Sequence, residues 1–353
     1  MTRRHNDDLA PRDPRNALEL YIKTAQQAKS QATIYSHNSR LSHFVRWCEQ
    51  EVDEEPRFTN MNNLRGRDLH DYRLWRRVDG DLNTVSEKTQ MDTLRVFIRF
   101  CETIDAVIPN LSEQVVSPSL NNGENTSDDT LDADVAARIL DWLETYRYAT
   151  PPHVSLVLMW RALLRRGSVR ALDVEDYQRD ENGEPYLQIR HRPETDTPLK
   201  NKGDGERSVA LRDDTAALLD DLLSHADRHD VQDDYGRQPL ITSEYGRPHQ
   251  MTYSKWIWSV TRPCLVTNEC PEGREINDCS AAAERMKASS CPVSLGPHAV
   301  RRGAITHWLT NDVPDTVVSD RANVSPAVID EHYDQRDEFT KMQQRRRYLD
   351  RFE

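Results

Sequence analysis

The feature that most constrains the fold of this chain is a polar break between two regions of helical periodicity. Apolar residues are sparse from Ser117 to Asp132, whereas the sequence on both sides carries them at helical spacing. Such a break has too little apolar surface to form a core, so it predicts a linker over residues 117–132. The 353 residues are enough for two domains. We therefore expect one domain over residues 14–116 and a second over residues 133–353.

The first region is predicted to be a small bundle of helices with short connections. One helix opens at Asn16–Ile22, where Pro14 suits the first turn, and a last one spans residues 85–104. Apolar stripes at residues 35–47 and 69–75 mark two helices between them. Their aromatic side chains are expected to form a core rather than to stack on bases.

The second region is predicted to be mainly helical with one small antiparallel hairpin or sheet. The predicted helices cover Ala133–Leu140, Val154–Arg166 and Thr215–Leu223, and the predicted strands cover Tyr186–Ile189 and Arg207–Leu211. A glycine-bearing turn at Lys200–Gly205 lies between the strands. The fold class is therefore mainly α with a small antiparallel β component.

The charge balance is acidic, which is unusual for a protein that binds nucleic acid. There are 59 acidic and 47 basic residues, a net charge of -12, and only eight of the basic residues are lysines. An Asp-rich, Lys-poor surface keeps a protein soluble in concentrated salt and is compatible with a local basic groove. We hypothesise a halophilic host, with an ordinary acidic cytoplasmic protein as the alternative. The acidic total does not exclude DNA as a partner.

No targeting signal is evident in the sequence. No apolar run approaches the length of a membrane span, and residues 1–8 lack the apolar core of a signal peptide. These observations predict a cytoplasmic protein without a membrane partner.

Residues suited to phosphate chemistry follow one another along the second region. Their order is Arg165, a hairpin with Lys200 and Lys202, the pair His298 and Arg301, and Tyr333. A histidine and an arginine three residues apart share one face of a helix. A later tyrosine can return to them from a separate helix, which would place a phenolic nucleophile beside a phosphate-binding pair.

This arrangement resembles the tyrosine recombinase family of phage integrases and Xer-type enzymes. The family segment Gly-Leu-Arg-x-x-Glu-Leu-x-x-Leu corresponds to Leu163–Leu172, and the family hairpin Lys-Gly-x-x-x-Arg corresponds to Lys202–Arg207. The resemblance covers most of the chain and implies a SAM-like helical core-binding domain, a linker and a catalytic domain. It assigns the catalytic positions to Arg165 rather than Arg166 or Arg170, to Lys202 rather than Lys200, and to His298, Arg301 and Tyr333.

The resemblance implies cleavage and rejoining of DNA through a 3′-phosphotyrosyl intermediate at Tyr333, without ATP or a metal. Arg165 and Arg301 would offset the charge that builds on the phosphate. Lys202 would protonate the departing 5′-oxygen, and His298 would bind the phosphate or move the tyrosine proton. Expected partners are double-stranded DNA and three further copies of the chain in a synaptic tetramer. The alternatives are a type IB topoisomerase and a degenerate integrase that acts as a DNA-binding accessory protein.

The sequence departs from the family at three positions. Val324 stands nine residues before the nucleophile, where the family usually has His or Trp. The candidates to replace that side chain are Asn323, Arg321, His332 and His307. The alternative is that the role of this side chain is lost and that turnover is slow. Leu163 replaces the family glycine and Ser168 replaces an acidic residue, both at supporting positions.

Two further predictions concern contacts outside the catalytic residues. Lys88 and Arg95 are candidates to read bases from the helical domain. The segment 339–352 is predicted to be a helix that either docks on a neighbouring protomer, as the resemblance implies, or contacts DNA as a solvated basic helix.

Four of the six cysteines are crowded into one stretch of the second region. This distribution suggests one local site rather than a disulfide framework. A structural zinc is one interpretation, although the spacing lacks a CxxC knuckle; reduced thiols and, last, an iron–sulfur cluster are the others. The residues concerned are Cys264, Cys270, Cys279 and Cys291.

Overall fold

The structure is a computed structural model that describes residues 9–120, 129–334, 336–346 and 349. The described residues form two compact units, one before residue 128 and one from residue 128 onward. The linker over residues 117–132 stays a prediction, because residues 121–128 lie outside the described part. Within the described residues, no helix is both long enough and apolar enough to span a membrane.

The described residues of the first unit form four α-helices and one short hairpin. The helices are α1 (Pro14–Ala25), α2 (Gln31–Cys48), α3 (Gly66–Asp79) and α4 (Thr84–Thr103), and the hairpin pairs β1 (Glu51–Val52) with β2 (Glu55–Pro56). Side chains cap the helix starts: Asp13 accepts from the backbone N–H groups of Arg15 and Asn16, and Asn83 accepts from that of Ser86.

Aromatic side chains form much of the core of this unit. The Phe44 ring lies 5.2 Å from that of Tyr72 and 6.1 Å from that of Trp47, and all three are buried. The prediction of an aromatic core is confirmed for these residues. It is wrong for Tyr35, which is 79% exposed. Tyr35 precedes the buried Leu41 by six residues, a spacing that places the two on different sides of α2.

The second unit contains the remaining helices. They are α5 (Ala133–Tyr146), α6 (Pro151–Arg161), α7 (Arg166–Ala171), α8 (Asp213–Ser224), α9 (Gln250–Val260), α10 (Pro263–Thr267), α11 (Ser280–Ala283), α12 (Pro297–Thr310), α13 (Asp315–Ala322), α14 (Pro326–His332) and α15 (Glu338–Arg346). The helix predicted over residues 154–166 ends early, at Arg161. The predicted tail helix is present as α15; residues 347, 348 and 350–353 lie outside the described part.

A three-stranded antiparallel sheet completes the second unit. Its strands β3 (Tyr177–Arg179), β4 (Pro185–Ile189) and β5 (Arg207–Ala210) lie in sequence order, and Leu187 pairs with Val209. Both of these side chains are buried in the core. The fold class, mainly α with a small antiparallel sheet, is confirmed. The long β4–β5 connection carries Lys200 and Lys202.

Helix α6 is the centre of this unit, since every residue from Pro152 to Trp160 is buried. A helix that is buried all round must be covered by neighbours on all sides. Helix α12 is one of those neighbours, and its Ala304 and Ile305 are fully buried. The chain at Leu131 crosses α12 closely: a Cβ at Gly303 would lie 2.0 Å from the Leu131 carbonyl oxygen. This packing holds the helix that carries His298 and Arg301.

Candidate active site

The first predicted arginine, Arg165, follows an abrupt end of α6. Leu163 has a φ of 54°, in the left-handed region, and Arg165 is the N-cap of α7. A non-glycine residue in this left-handed conformation ends a right-handed helix and redirects the chain. Glycine adopts the conformation without strain, which accounts for the family glycine at this position. Here Leu163 is fully buried, so burial in the core offsets the strain.

Arg165 is directed toward the loop after α13. Its Nη2 donates to the carbonyl oxygen of Asn323 at 2.8 Å, and its Nη1 donates to Asn323 Oδ1 at 3.3 Å. It also interacts electrostatically with Tyr333. The neighbouring arginines have other partners: Arg166 donates to Ser254 Oγ, and Arg170 forms an ion pair with Asp196 at 2.7 Å. Of the three arginines, Arg165 is therefore the one directed toward Asn323 and Tyr333.

Arg301 is the most deeply buried charge at this site, with 2% of its surface exposed. Its two Nη atoms donate to the carbonyl oxygens of Leu163 and Ala322, and its Nε has no hydrogen-bond partner among the described residues. Burial and then the charge of Arg165 lower the pKa of Arg301 to about 9. The guanidinium nevertheless stays charged at neutral pH.

Tyr333 lies where α14 ends, beside both members of the His-x-x-Arg pair. The Tyr333 ring centroid is 6.0 Å from Arg301 Cζ and 5.8 Å from the centre of the His298 ring, which it meets edge to face at 76°. Thr306 Oγ1 donates to the Tyr333 carbonyl oxygen at 2.6 Å, which ties the end of α14 to α12. The tyrosine is 6% exposed. The structure thus brings together Arg165, His298, Arg301 and Tyr333.

His298 lies in the first turn of α12 and is surrounded by positive charge. Its pKa is lowered, first by loss of hydration and then by Arg302, Arg301, Lys200 and Arg165. The imidazole is therefore neutral at pH 7 and able to accept a proton.

Two more arginines extend the positive charge around this site. Arg207 donates through Nε to the carbonyl oxygen of Arg321 at 2.9 Å, and its buried Nη2 has no partner among the described residues. Arg321 packs its guanidinium 4.8 Å from the centre of the Trp308 ring. Burial lowers the pKa of each to about 10.

We call Arg165, Arg207, Arg301 and Arg321 the arginine cluster. Within the described part of the chain, none of the four forms an ion pair with a carboxylate; their hydrogen bonds go to carbonyl and amide oxygens. Buried charges in proteins are normally paired. Four that are not paired form a site with a strong preference for an anion.

The proposed replacements for the missing His or Trp lie in different surroundings. Val324 is buried in the core, and Arg321 belongs to the arginine cluster. Asn323, at a φ of 51°, joins Arg165 to the β4–β5 connection: its Oδ1 accepts from Asn201 Nδ2 at 2.6 Å and its Nδ2 donates to the Asp204 carbonyl oxygen at 2.8 Å. His307 stacks on Trp160 at 5.6 Å. The His332 side chain lies outside the described part.

The two lysines of the β4–β5 connection are placed differently. Lys202 is exposed, at a φ of 51°, in a short 3₁₀ turn. Lys200 is also exposed, and its charge contributes, after burial, Arg302 and Arg301, to the lowered pKa of His298. The family hairpin motif contains Lys202 and Arg207 but not Lys200.

The remaining predicted site residues lie elsewhere. In the first unit, Lys88 forms an ion pair with Asp92 at 3.0 Å, and Arg95 binds Asp92 at 2.8 Å and the Val115 carbonyl oxygen at 2.8 Å. Their role in reading bases stays a prediction. The four cysteines of residues 264–291 line one small cavity of the second unit.

Several solved structures have folds similar to that of this chain. An integrase of transposon Tn1549 (residues 82–397) bound to transposon right-end DNA matches 94% of this chain and 99% of its own, with a TM-score of 0.63 and 12% identity. A lambda integrase dimer bound to a COC′ core site matches 96% of this chain and 79% of its own, with a TM-score of 0.57 and 13% identity. The chain has the tyrosine recombinase fold.

A third structure with this fold, a lambda integrase tetramer bound to a Holliday junction, matches 96% of this chain and 78% of its own. Its TM-score is 0.54 and its identity 13%. No family model matches the chain, and no curated protein does. In this chain, the tyrosine recombinase fold brings the arginine cluster, which has no carboxylate partner among the described residues, to a buried tyrosine.

Proposed function

We propose that this chain is a site-specific DNA recombinase or integrase that cleaves and rejoins duplex DNA through a 3′-phosphotyrosyl intermediate at Tyr333. The observation that carries the proposal is the arginine cluster beside a buried tyrosine: four largely buried guanidinium groups that have no carboxylate partner within the described part of the chain. A DNA phosphodiester is an anion of suitable size and chemistry for such a site.

Each residue of the site has a role in this proposal. Arg165 and Arg301 hold the non-bridging oxygens and stabilise the charge of the pentacoordinate transition state. His298, neutral at pH 7, accepts the phenolic proton as the Tyr333 oxygen attacks phosphorus. The bond to the 5′-oxygen breaks, and the new phosphotyrosyl ester conserves its energy, so rejoining needs neither ATP nor a metal. Asn323 holds Arg165 in place and is our candidate for the role of the missing His or Trp.

The departing 5′-oxygen needs a proton, and the two hairpin lysines are the candidates for its donor. The family motif favours Lys202. In an in-line displacement the departing oxygen lies opposite the attacking tyrosine, so the effect of Lys200 on His298 does not place Lys200 at the departing oxygen. We propose Lys202 as the donor and Lys200 as a residue that adds positive charge near His298.

Two further parts of the proposal concern partners and host. Integrases with this fold have been solved as a dimer and as a tetramer bound to DNA, which supports a synaptic tetramer of this chain on DNA. The Asp-rich, Lys-poor composition supports a halophilic and haloarchaeal origin. A recombinase adapted to salt would bind DNA through shape complementarity more than through screened charge.

The experiment is covalent trapping on nicked duplexes that contain candidate sites from the flanks of the gene, in low and high salt. A nick near the cleaved bond lets a short fragment diffuse away and prevents rejoining. The wild-type protein is expected to form a protein–DNA adduct that survives SDS, and Tyr333→Phe is expected to bind the same DNA without forming it. Tyr253→Phe is the matched control, since it removes a buried hydroxyl elsewhere in the second unit.

The outcomes separate the proposal from its rivals. Adducts that persist in Tyr333→Phe would assign the nucleophile elsewhere. Specific binding without any adduct would indicate a degenerate DNA-binding protein. An adduct with relaxation of supercoiled DNA by the monomer, but no strand exchange, would indicate a type IB topoisomerase.

A further inference from the structure

The segment between α9 and α12 has almost no apolar core. All residues from 263 to 296 are described, and only Ala281 and Ala288 among them are buried. Its ends are tied together at Thr261, whose Oγ1 donates to the Leu295 carbonyl oxygen at 2.8 Å and accepts from the Leu295 N–H at 2.9 Å. Leu265, Val266 and Leu295 pack against the core but are only partly buried. The segment is therefore a closed loop with little buried apolar surface to fix its conformation.

The four cysteines of this loop come from four separate places in it. Cys264 lies in α10, Cys270 begins a turn, Cys279 precedes α11, and Cys291 follows a 3₁₀ segment. All four are free thiols of intermediate exposure. They nevertheless line one cavity of about 10 Å³, and Cys264 interacts electrostatically with the other three.

We propose that these four cysteines bind one structural zinc ion. Four thiolates form the closed tetrahedral set typical of structural zinc. A cavity of about 10 Å³ accommodates about one water-sized sphere. That is room for a single ion.

The surroundings of the cavity suit a site of this charge. Zinc with four thiolates carries a net charge of about -2. Two arginines, Arg262 and Arg274, line the same cavity against one carboxylate, Glu272. Arg262 is buried and donates to the carbonyl oxygens of Ser259 and Ala281, so it links the loop to α9. Gly273 adopts a φ of 65° and donates to the Cys270 carbonyl oxygen at 2.9 Å, which turns the chain back toward the cavity.

Binding requires the thiols to turn inward. Among the described residues, no three Cys, His, Asp or Glu side chains are yet arranged to hold a metal ion. A cysteine side chain has one torsion to its sulfur, with three staggered positions, so rotation at χ1 moves the sulfur without unfolding the backbone. The ion would draw the sulfurs to about 2.3 Å from itself.

The zinc would brace the approach to the candidate active site. The loop ends at Gly296, immediately before α12, and a Cβ at Gly296 would lie 3.1 Å from Trp258 Nε1. A fixed loop therefore fixes the start of the helix that carries His298 and Arg301. The metal has no part in the phosphate chemistry, so the proposal stands apart from the assignment of Tyr333.

The test is the metal content of the full chain, purified under reducing conditions with zinc and then dialysed. Elemental mass spectrometry is expected to give one zinc per chain, and replacement with Co²⁺ is expected to give the absorption of a tetrahedral thiolate site. Cys270→Ser and Cys291→Ser are expected to lose the metal. Cys48→Ala and Cys101→Ala, in the core of the first unit, are the controls and are expected to keep it.

Limited proteolysis of the wild-type chain tests the proposal even if a cysteine variant is poorly folded. Removal of zinc from the wild type by a chelator is expected to expose cleavage sites within residues 263–296 first, and added zinc is expected to protect them again. A wild-type chain without zinc, metal retained in both serine variants, or a count of disulfides in place of free thiols would each overturn the proposal.

Discussion

Replacing Arg301 with methionine separates a role in phosphate binding from a role in folding. Methionine has a similar length and no charge, so it fills the site without the guanidinium. Burial and Arg165 lower the pKa of Arg301 from 12.5 to about 9, so the folded state disfavours the charged form. At about 1.4 kcal/mol per pKa unit, keeping the charge costs folding about 5 kcal/mol.

A pKa is a net value, so the hydrogen bonds that Arg301 donates are already part of that cost. Methionine removes the buried charge, but it leaves the carbonyl oxygens of Leu163 and Ala322 without their donor, which costs roughly 1–3 kcal/mol each. The two effects nearly cancel, so Arg301→Met is expected to change the free energy of unfolding by no more than about 2 kcal/mol. Cleavage, in contrast, loses a preorganised donor and is expected to fall by about 10²–10³-fold.

Urea unfolding with and without inorganic phosphate, at constant ionic strength, measures the binding role directly. Phosphate that binds only the folded state at about 100 times its Kd stabilises it by about 2.7 kcal/mol. The wild type is expected to show such a gain and Arg301→Met to lose most of it. Arg170→Met is the control, because Arg170 pairs with Asp196 and lies outside the arginine cluster.

The same variant has a defined dependence on pH. The pKa of Arg301 is lower in the folded than in the unfolded state, so its cost is complete below about pH 9 and is relieved as the pH rises through that value. The wild type should therefore gain stability relative to Arg301→Met above pH 9. A loss of more than about 4 kcal/mol at pH 7, or a phosphate effect equal to that of the wild type, would refute the reasoning.

Three other substitutions test the neighbours of the arginine cluster. Lys202→Ala is expected to slow cleavage by about 10²–10⁴-fold and Lys200→Ala far less. A substrate with sulfur at the 5′ bridging position, whose leaving group needs no proton, should restore only the variant that lacks the donor, and rescue of Lys200→Ala alone would reverse the assignment. Asn323→Asp keeps the shape of the side chain, places a carboxylate 3.3 Å from Arg165 Nη1 and loses the hydrogen bond to the Asp204 carbonyl oxygen. We expect this variant no longer to respond to phosphate; an unchanged phosphate effect would show that Arg165 is not part of the anion site.

Much of the fold could be predicted from the periodicity of apolar residues. The errors of that prediction have local causes. The helices of the first unit were predictable because each buries a continuous stripe. The end of α6 was not, because Leu163 looks like a continuing core residue and its left-handed conformation is imposed by the packing around it. Strand β3 was missed since it has three residues, two of them polar, and depends on β4 for its partner.

The candidate site was predictable where spacing along one element decides the geometry. His298 and Arg301 share a face of α12. Tyr333 lies far enough along the chain to return to them from a separate helix, as predicted. The directions of Lys200 and Lys202 were not predictable, because both lie in an irregular connection whose course depends on tertiary contacts. The convergence of Arg207 and Arg321 depends on contacts between residues more than 100 apart. The roles of all these residues stay predictions until cleavage is measured.

The burial of the site explains why its charges are arginines. Only eight of the 47 basic residues are lysines, and the four charges of the arginine cluster are all guanidinium groups. Burial lowers the pKa of Arg301 to about 9 and those of Arg207 and Arg321 to about 10, so all three stay charged at pH 7. A lysine has an ordinary pKa of about 10.4, and the same burial would bring it close to neutral pH. Only arginine can therefore keep a permanent charge at that depth, and a buried permanent charge without a carboxylate is stabilised fully only when an anion such as a DNA phosphate enters.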